Sequence, residues 1–173
     1  MLDGAEQILI DEGYGALTSR RVAEVVGVKQ RLVYYYFETM DDLIVETFRR
    51  LAERELQRLQ EALTHEKPLR KLWQVCAQTT DTRLVSEFMA LANRNEVLRE
   101  EVKNYIRETR RIQVEAIKTS QALSGRESTI APAAAAIFAT SAALAIHREK
   151  ALGIRMGHGE VLAAIESFLE GAE

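Results

Sequence analysis

Proline and cysteine are scarce in this 173-residue chain, and each scarcity removes a class of protein. With only two prolines, Pro68 and Pro132, long stretches meet no helix breaker. Alternating β-branched runs of strand length are scarce too, so an all-α protein is expected. Cys76 stands alone, which excludes an intrachain disulfide and a cysteine-based zinc site. Between Val75 and Ala77, in a helical pattern, it reads as a small buried thiol. The longest apolar stretch, 130–146, is mostly alanine and contains Thr140 and Ser141. It is too short and too weakly hydrophobic for a bilayer span of ~20 apolar residues. No positive-plus-apolar leader opens the sequence, so a cytoplasmic protein without membrane contact is expected. A glycine-rich phosphate loop, a nucleophile elbow and paired histidines at metal-ligand spacing are all missing. Neither an enzyme nor a metal or cofactor is therefore expected.

What is present points to a soluble globular chain: 47% hydrophobic and 28% charged residues, with a net charge of −3. That balance argues against an indiscriminate coating of DNA. The stretch 18–37 organises the rest. Thr18 or Ser19 can cap a helix in which Val22, Val25 and Val26 share one face. Ala23 is small enough for a second helix to cross over it. Gly27 suits a sharp turn that needs a positive φ. A second helix starts after Val28, with Leu32, Val33 and Tyr36 expected inward and Lys29, Gln30 and Arg31 outward. This is a helix-turn-helix whose second helix offers its N-terminal end to the major groove.

Charge supports that reading. Within 18–37, Arg20, Arg21, Lys29 and Arg31 oppose Glu24 alone. The flanks are acidic, with Asp3, Glu6, Asp11 and Glu12 before and Glu38, Asp41, Asp42 and Glu46 after. A chain that concentrates positive charge inside an acidic surround aims that face at phosphates. Tyr34, Tyr35 and Tyr36 add hydroxyls, and at least one of them should reach solvent or DNA.

Gly13-Tyr14, Thr18, Val22-Ala23, Gly27-Val28, Tyr34-Tyr35-Tyr36-Phe37 and Asp42-Leu43 resemble the N-terminal signature of the TetR (tetracycline-repressor-like) transcriptional regulators. The motif covers roughly residues 1–46. The resemblance implies an N-terminal three-helix bundle with the helix-turn-helix and a C-terminal helical ligand-binding and dimerisation domain over 47–173. It also implies a homodimer that binds a palindromic double-stranded operator and releases it when a small molecule enters the larger domain. Carried over by position, the DNA-binding residues are Thr18, Ser19, Arg20, Lys29, Gln30, Arg31, Tyr34, Tyr35 and Tyr36. Ser19 and Arg20 would meet phosphates from the first motif helix. Lys29, Gln30 and Arg31 would face bases or backbone, and the tyrosines would clamp phosphates. Three positions depart from the family. Met40 replaces a lysine that touches phosphate, and Leu32 replaces a small polar residue. Met1-Leu2 aligns with the middle of the family's first helix, without the basic residues that precede it there.

The remaining helices follow from periodicity. Residues 1–12 place Leu2, Ala5, Ile8 and Leu9 inward. Thr39 caps a helix running to about Leu63, long enough at ~1.5 Å per residue to reach beyond a small DNA-binding head. Pro68 opens another helix, and Asp81 or Thr82 caps the next. Long helices are expected over 97–123 and 129–152, and a last one over 159–169. Trp73, Phe88, Met89, Tyr105 and Phe138, with Cys76, Thr80 and His147, are candidates for a largely apolar effector pocket. Arg83 and Gln113 are further polar groups able to read a ligand. Ile137, Leu144, Val161, Leu162, Ile165, Phe168 and Leu169 are candidates for an isologous four-helix dimer interface. The competing reading is a helical ligand-binding or interaction module whose DNA-binding head is weak or unused.

Overall fold

The computed structural model describes residues 1–78, 82–125 and 129–172, and among these every regular element is helical. In order these are α1 (Leu2–Asp11), a 3-10 turn (Tyr14–Ala16), α2 (Ser19–Val26), α3 (Gln30–Tyr36) and α4 (Met40–Ala62). Then come α5 (Pro68–Gln78), α6 (Thr82–Ala92), α7 (Glu96–Ser124), α8 (Pro132–Ala151) and α9 (His158–Ala172). The chain is all-α, as its periodicity and lack of breakers dictate. The expected cap at Asp81 lies outside the described residues, as does Thr80.

Two compact units form, and neither is continuous in sequence. The first comprises Met1–Arg54 and Arg83–Tyr105, and the second Glu55–Thr82 and Ile106–Glu173. Helices α4 and α7 each contribute residues to both.

In the first unit, Ala5, Ile8 and Leu9 of α1 meet Val22 and Ala23 of α2, Val33 of α3 and Leu43, Ile44 and Phe48 of α4. Phe88, Leu98 and Val102 complete this core. The signals read from the sequence operate locally. Thr18 Oγ1 accepts the Arg21 amide at 3.2 Å, capping α2. Gly27 adopts φ +74°, and the amides of Val28 and Gly27 return to the Ala23 and Glu24 carbonyls at 2.9 and 3.3 Å. This reciprocal pair satisfies carbonyls that the end of α2 would otherwise orphan. Thr39 and Asp42 cap α4 reciprocally: the Asp42 amide reaches Thr39 Oγ1 at 3.1 Å, and the Thr39 amide reaches the Asp42 carboxylate at 2.8 Å. Met40 packs against the core beside them.

One packing residue carried no periodic signal. Gly4 lies buried in α1, and a Cβ there would come within 2.6 Å of Val26 Cγ2. Its missing side chain lets α2 approach α1. Ion pairs then fasten α4 to its neighbours: Arg50 to Asp3, Arg54 to Glu6 at 2.6 Å, and Arg49 to Glu101 at 2.7 Å.

The second unit has its own core, built from Leu59 and Ala62 of α4, Leu69, Leu72 and Val75 of α5, Ile112 and Ile117 of α7, Ala136 of α8 and Leu169 of α9. Helix α8 returns into α9 as an antiparallel hairpin. His158, which opens α9, bonds Glu149 near the end of α8 at 2.8 Å. At the other end Leu169 joins Ala136 in the core.

Candidate functional site

The first unit presents a helix-turn-helix surface. Helices α2 and α3 pack on each other across the Gly27–Lys29 turn, with Val33 as the buried anchor of α3. At seven residues, α3 has room for one buried position. Leu32 and Tyr36, expected inward, are therefore exposed, as is Val25 of α2. Tyr34, Tyr35 and Tyr36 are 52%, 78% and 64% exposed, so all three reach solvent where at least one was expected to. Tyr35 and Tyr36 meet edge to face at 5.2 Å, which stiffens the aromatic end of the helix. Lys29, Gln30 and Arg31 are exposed, as expected.

Ser19 is not where the family pattern puts it. It is buried, and its hydroxyl is engaged from two sides: Gln30 Nε2 donates to Ser19 Oγ at 2.8 Å, and Ser19 Oγ donates to the Tyr34 hydroxyl at 3.0 Å. Ser19 is thus a clasp between α2 and α3, and it holds Gln30 and Tyr34 in place. A helical pattern shows that Ser19 opens α2, but not that two side chains of α3 reach back to it.

The positive charge is smaller than the residue count suggests. Arg21 makes a two-pronged contact with Glu12, closest at 2.8 Å, and pairs with Glu24 at 3.5 Å. Hydrogen bonding to Glu12, then its charge, raises the Arg21 guanidinium above its ordinary value. Arg20 pairs with Glu24 at 3.0 Å while its side chain stays 81% exposed. That hydrogen bond holds the Glu24 carboxyl below the usual carboxylate range. Lys29 and Arg31 have no ion-pair partner among the described residues, so they are the uncompensated cations of the motif.

The second unit contains a cavity of about 360 Å³. Leu72, Trp73 and Cys76 of α5, Gln113 and Ile117 of α7, Phe138 and Ala139 of α8, and Ile165 and Phe168 of α9 line it. The volume falls within the ~300–1,000 Å³ of small-molecule sites. Among the described residues no charged side chain lines it. Gln113 is its polar feature: its Nε2 donates to Thr140 Oγ1 at 3.2 Å and to Cys76 Sγ at 3.4 Å, while the Thr140 hydroxyl donates to the Ala136 carbonyl at 2.9 Å. The Gln113 carbonyl oxygen is left with a long 3.5 Å contact from Thr140, so it can accept a donor from a ligand. Burial pushes the Cys76 thiol above its ordinary pKa, keeping it protonated and weakly nucleophilic.

Of the residues expected to form the pocket, Trp73, Cys76 and Phe138 meet in this cavity. Phe88 and Tyr105 belong to the first unit, where they stack edge to face on Phe48 at 5.1 and 6.0 Å. Met89 is exposed on that same unit. His147 bonds through Nε2 to the Ala77 carbonyl and does not line the cavity. Thr80 lies outside the described residues, and the Arg83 side chain is not described. Gln113 proves to be the polar lining group. Its helical position among Ile112 and Ile117 was legible, but its neighbours Cys76 and Thr140 were not.

The residues expected at a dimer interface separate as well. Ile137, Val161 and Leu162 are exposed on α8 and α9. Leu144 is half-buried. Ile165 and Phe168 are half-buried against their own core and line the cavity, and Leu169 is only 4% exposed. The apolar stripe of α9 is thus divided between an inner and an outer side, because α9 packs on α5 and α8 of its own chain. Among the described residues no group of three or more His, Cys, Asp or Glu could hold a metal ion, and no helix is long and apolar enough to cross a membrane.

Residues 1–47 match the family described as bacterial regulatory proteins, tetR family. Among solved structures, the chain is similar to a transcriptional regulator from Saccharomonospora viridis in complex with choline, with a TM-score of 0.84 at 16% identity over 98% of this chain and 93% of that one. It is also similar to the reduced form of E. coli NemR, with a TM-score of 0.79 at 16% identity over 96% and 93% of the two chains. A TetR transcription regulator from Haloarcula marismortui gives a TM-score of 0.77 at 19% identity, covering 99% and 93%. No curated protein matches the chain. Residues 1–47, which hold the helix-turn-helix, are thus similar to that family's segment, on a chain that has the fold of these regulators.

Proposed function

We propose that this chain is a one-component transcriptional repressor that binds a palindromic operator as a homodimer and is released by a small, largely apolar effector. The observation that carries the reading is the exposed surface of α3, where Lys29 and Arg31 at its start are uncompensated and Tyr34–Tyr36 at its far end stand out. Two such ends on a dimer would enter successive major grooves ~34–36 Å apart. Lys29 and Arg31, with hydroxyls from the tyrosines, supply charge and donors to phosphates, while Gln30 is the residue able to read a base edge. The remainder of the acidic chain repels the duplex, which confines contact to this end.

The cavity supports the effector half of the reading. Its apolar lining and the Gln113 side-chain oxygen, which takes a long 3.5 Å contact from Thr140 and has room for a second donor, suit a neutral molecule with one hydroxyl or N–H. Choline, held by the Saccharomonospora viridis regulator, is a cation. Here Trp73, Phe138 and Phe168 could face a cation with their rings, but among the described residues no carboxylate lines the cavity to offset its desolvation. A neutral ligand is the better fit. Action in the cytoplasm, on promoter DNA, follows from the same reading.

The test is a gel shift with promoter DNA flanking the chain's own coding region. Wild type should bind, and Lys29→Ala and Tyr35→Ala should bind at least about tenfold more weakly while remaining dimeric. Unchanged affinity in both variants would refute the assignment. No binding by wild type would favour a ligand-binding module with an unused head, a reading that the paired Arg20 and Arg21 and the apolar Met40 also motivate.

A further inference from the structure

Three side chains of the helix-turn-helix are joined head to tail. Gln30 Nε2 donates to Ser19 Oγ at 2.8 Å, and Ser19 Oγ donates to the Tyr34 hydroxyl at 3.0 Å. The count of protons fixes the direction. An amide nitrogen only donates, so Ser19 accepts from Gln30, and the one proton of the serine hydroxyl goes to the Tyr34 oxygen. Tyr34 therefore keeps its own O–H proton for an outside acceptor, and no partner among the described residues takes it. At the other end the Gln30 side-chain oxygen likewise has no partner among them. Gln30 and Tyr34 are exposed and stand four residues apart, on one face of α3, while the Ser19 between them is buried.

We infer that Gln30 reads an exocyclic amine in the major groove, that of adenine or cytosine, and that this contact is coupled through Ser19 to a phosphate held by Tyr34. The assignment rests on the operator-binding reading of α3.

Each end of the chain of bonds has one task open to it. Gln30 Oε1 accepts, and the major-groove donors are adenine N6 and cytosine N4. The second Nε2 proton can add a contact to adenine N7. Guanine O6 and thymine O4 are acceptors and would leave Oε1 unpaired. The Tyr34 O–H donates, and a phosphate oxygen takes it. A donor arriving at Oε1 polarises the amide, which strengthens its N–H toward Ser19, then Ser19 toward Tyr34 and Tyr34 toward phosphate. Burial of Ser19 keeps water from competing for the middle of the relay. The phosphate contact thus tightens on a matched base and slackens on a mismatched one. A contact that carries no sequence information by itself acquires some.

Selection of sites from random duplex DNA by the full-length chain tests this. Wild type should select adenine or cytosine at one position of each half-site. Gln30→Met, which keeps the length and loses both polar atoms, should select no base there. Replacing the selected base by its deamino analogue (purine for adenine, pyrimidin-2-one for cytosine) should weaken wild type at least about tenfold in gel shifts, and Gln30→Met less than about twofold. Tyr34→Phe should cost at least about twofold more on the selected site than on the deamino site. In a Ser19→Ala background the two costs should be equal. Gln30 and Tyr34 are exposed, so their variants should keep the wild-type helical circular dichroism. Should Ser19→Ala fail to fold, the comparisons at Gln30 and Tyr34 decide without it. Guanine or thymine at the position released by Gln30→Met overturns the inference, because the amide then faces the groove the other way round. A motif unchanged by Gln30→Met, or equal Tyr34→Phe costs on the two sites, also overturns it. A wild type that selects no sequence overturns the operator-binding reading itself, and the inference with it.

Discussion

Gln30 donates its side-chain N–H to the Ser19 hydroxyl at 2.8 Å, joining the exposed start of α3 to the buried start of α2. Because Ser19 in turn donates to the Tyr34 hydroxyl, one small side chain holds two of the groups offered to DNA. Ser19→Ala should cost about 0.5–1.5 kcal/mol of stability, the usual worth of such a hydrogen bond. It should weaken operator binding by about tenfold through lost positioning, although Ser19 itself is too buried to meet a phosphate. Urea denaturation and gel shifts on the same preparation separate the two effects. An operator affinity that falls no further than the stability loss explains would leave Ser19 with a packing role only.

The pairing of Arg20 with Glu24 makes a prediction of opposite sign. Glu24→Gln should free Arg20, and it also removes a negative charge close to the phosphates. Operator affinity should rise, and the dependence of log affinity on log salt should steepen by about one charge. Lys29→Ala should flatten the same slope by about one. Measuring affinity at several salt concentrations for the two variants checks both signs at once.

Gly27 closes α2 at a positive φ, with open space where a Cβ would stand. Gly27→Ala should therefore cost about 1–2 kcal/mol from backbone strain alone, without a clash. Thermal unfolding by circular dichroism should show it as a lowered Tm with the helical signal intact. A neutral result would mean that the turn relaxes out of the left-handed region.

Cys76 is kept protonated by burial in the cavity wall, and alkylation measures that directly. At pH 8 the folded chain should react with iodoacetamide at least about tenfold more slowly than the urea-unfolded chain. The sign for stability follows from linkage. The folded thiol titrates above the unfolded one, so the unfolded chain loses its proton first and stability declines as pH rises past the unfolded thiol's value. Cys76→Ala should remove that decline.

Gln113 offers the cavity an acceptor oxygen that takes a long 3.5 Å contact from Thr140. Gln113→Leu should weaken binding of a phenol or alcohol relative to a hydrocarbon of the same shape by about tenfold, since the ligand's hydroxyl would then be buried without a partner. Fluorescence displacement with a matched pair of ligands reads the ratio. An unchanged ratio would place the ligand's polar group elsewhere.

Much of the fold, and part of each candidate site, was legible in the residues. Thr18, Gly27, Thr39, Asp42, Pro68 and Pro132 act on the backbone within a turn or two of themselves, so their spacing is enough to locate helix ends. Helical periodicity likewise picks out Ile8, Val22, Val33, Leu43 and Leu98 as inward, because a face of one helix is a property of that helix alone. Exposure of Lys29–Arg31 follows in the same way. Only the tertiary structure decided which faces meet. It assigned Phe88 and Tyr105 to Phe48 rather than to Trp73, and brought Gln113 between Cys76 and Thr140. It also closed Ser19 under Gln30 and Tyr34, spent Arg21 on Glu12, and left Phe138 at the rim of an open cavity. The physical reason is range: caps and periodic faces arise from neighbours three or four residues away, whereas these partners lie 9 to 57 residues apart and meet only once whole helices have packed.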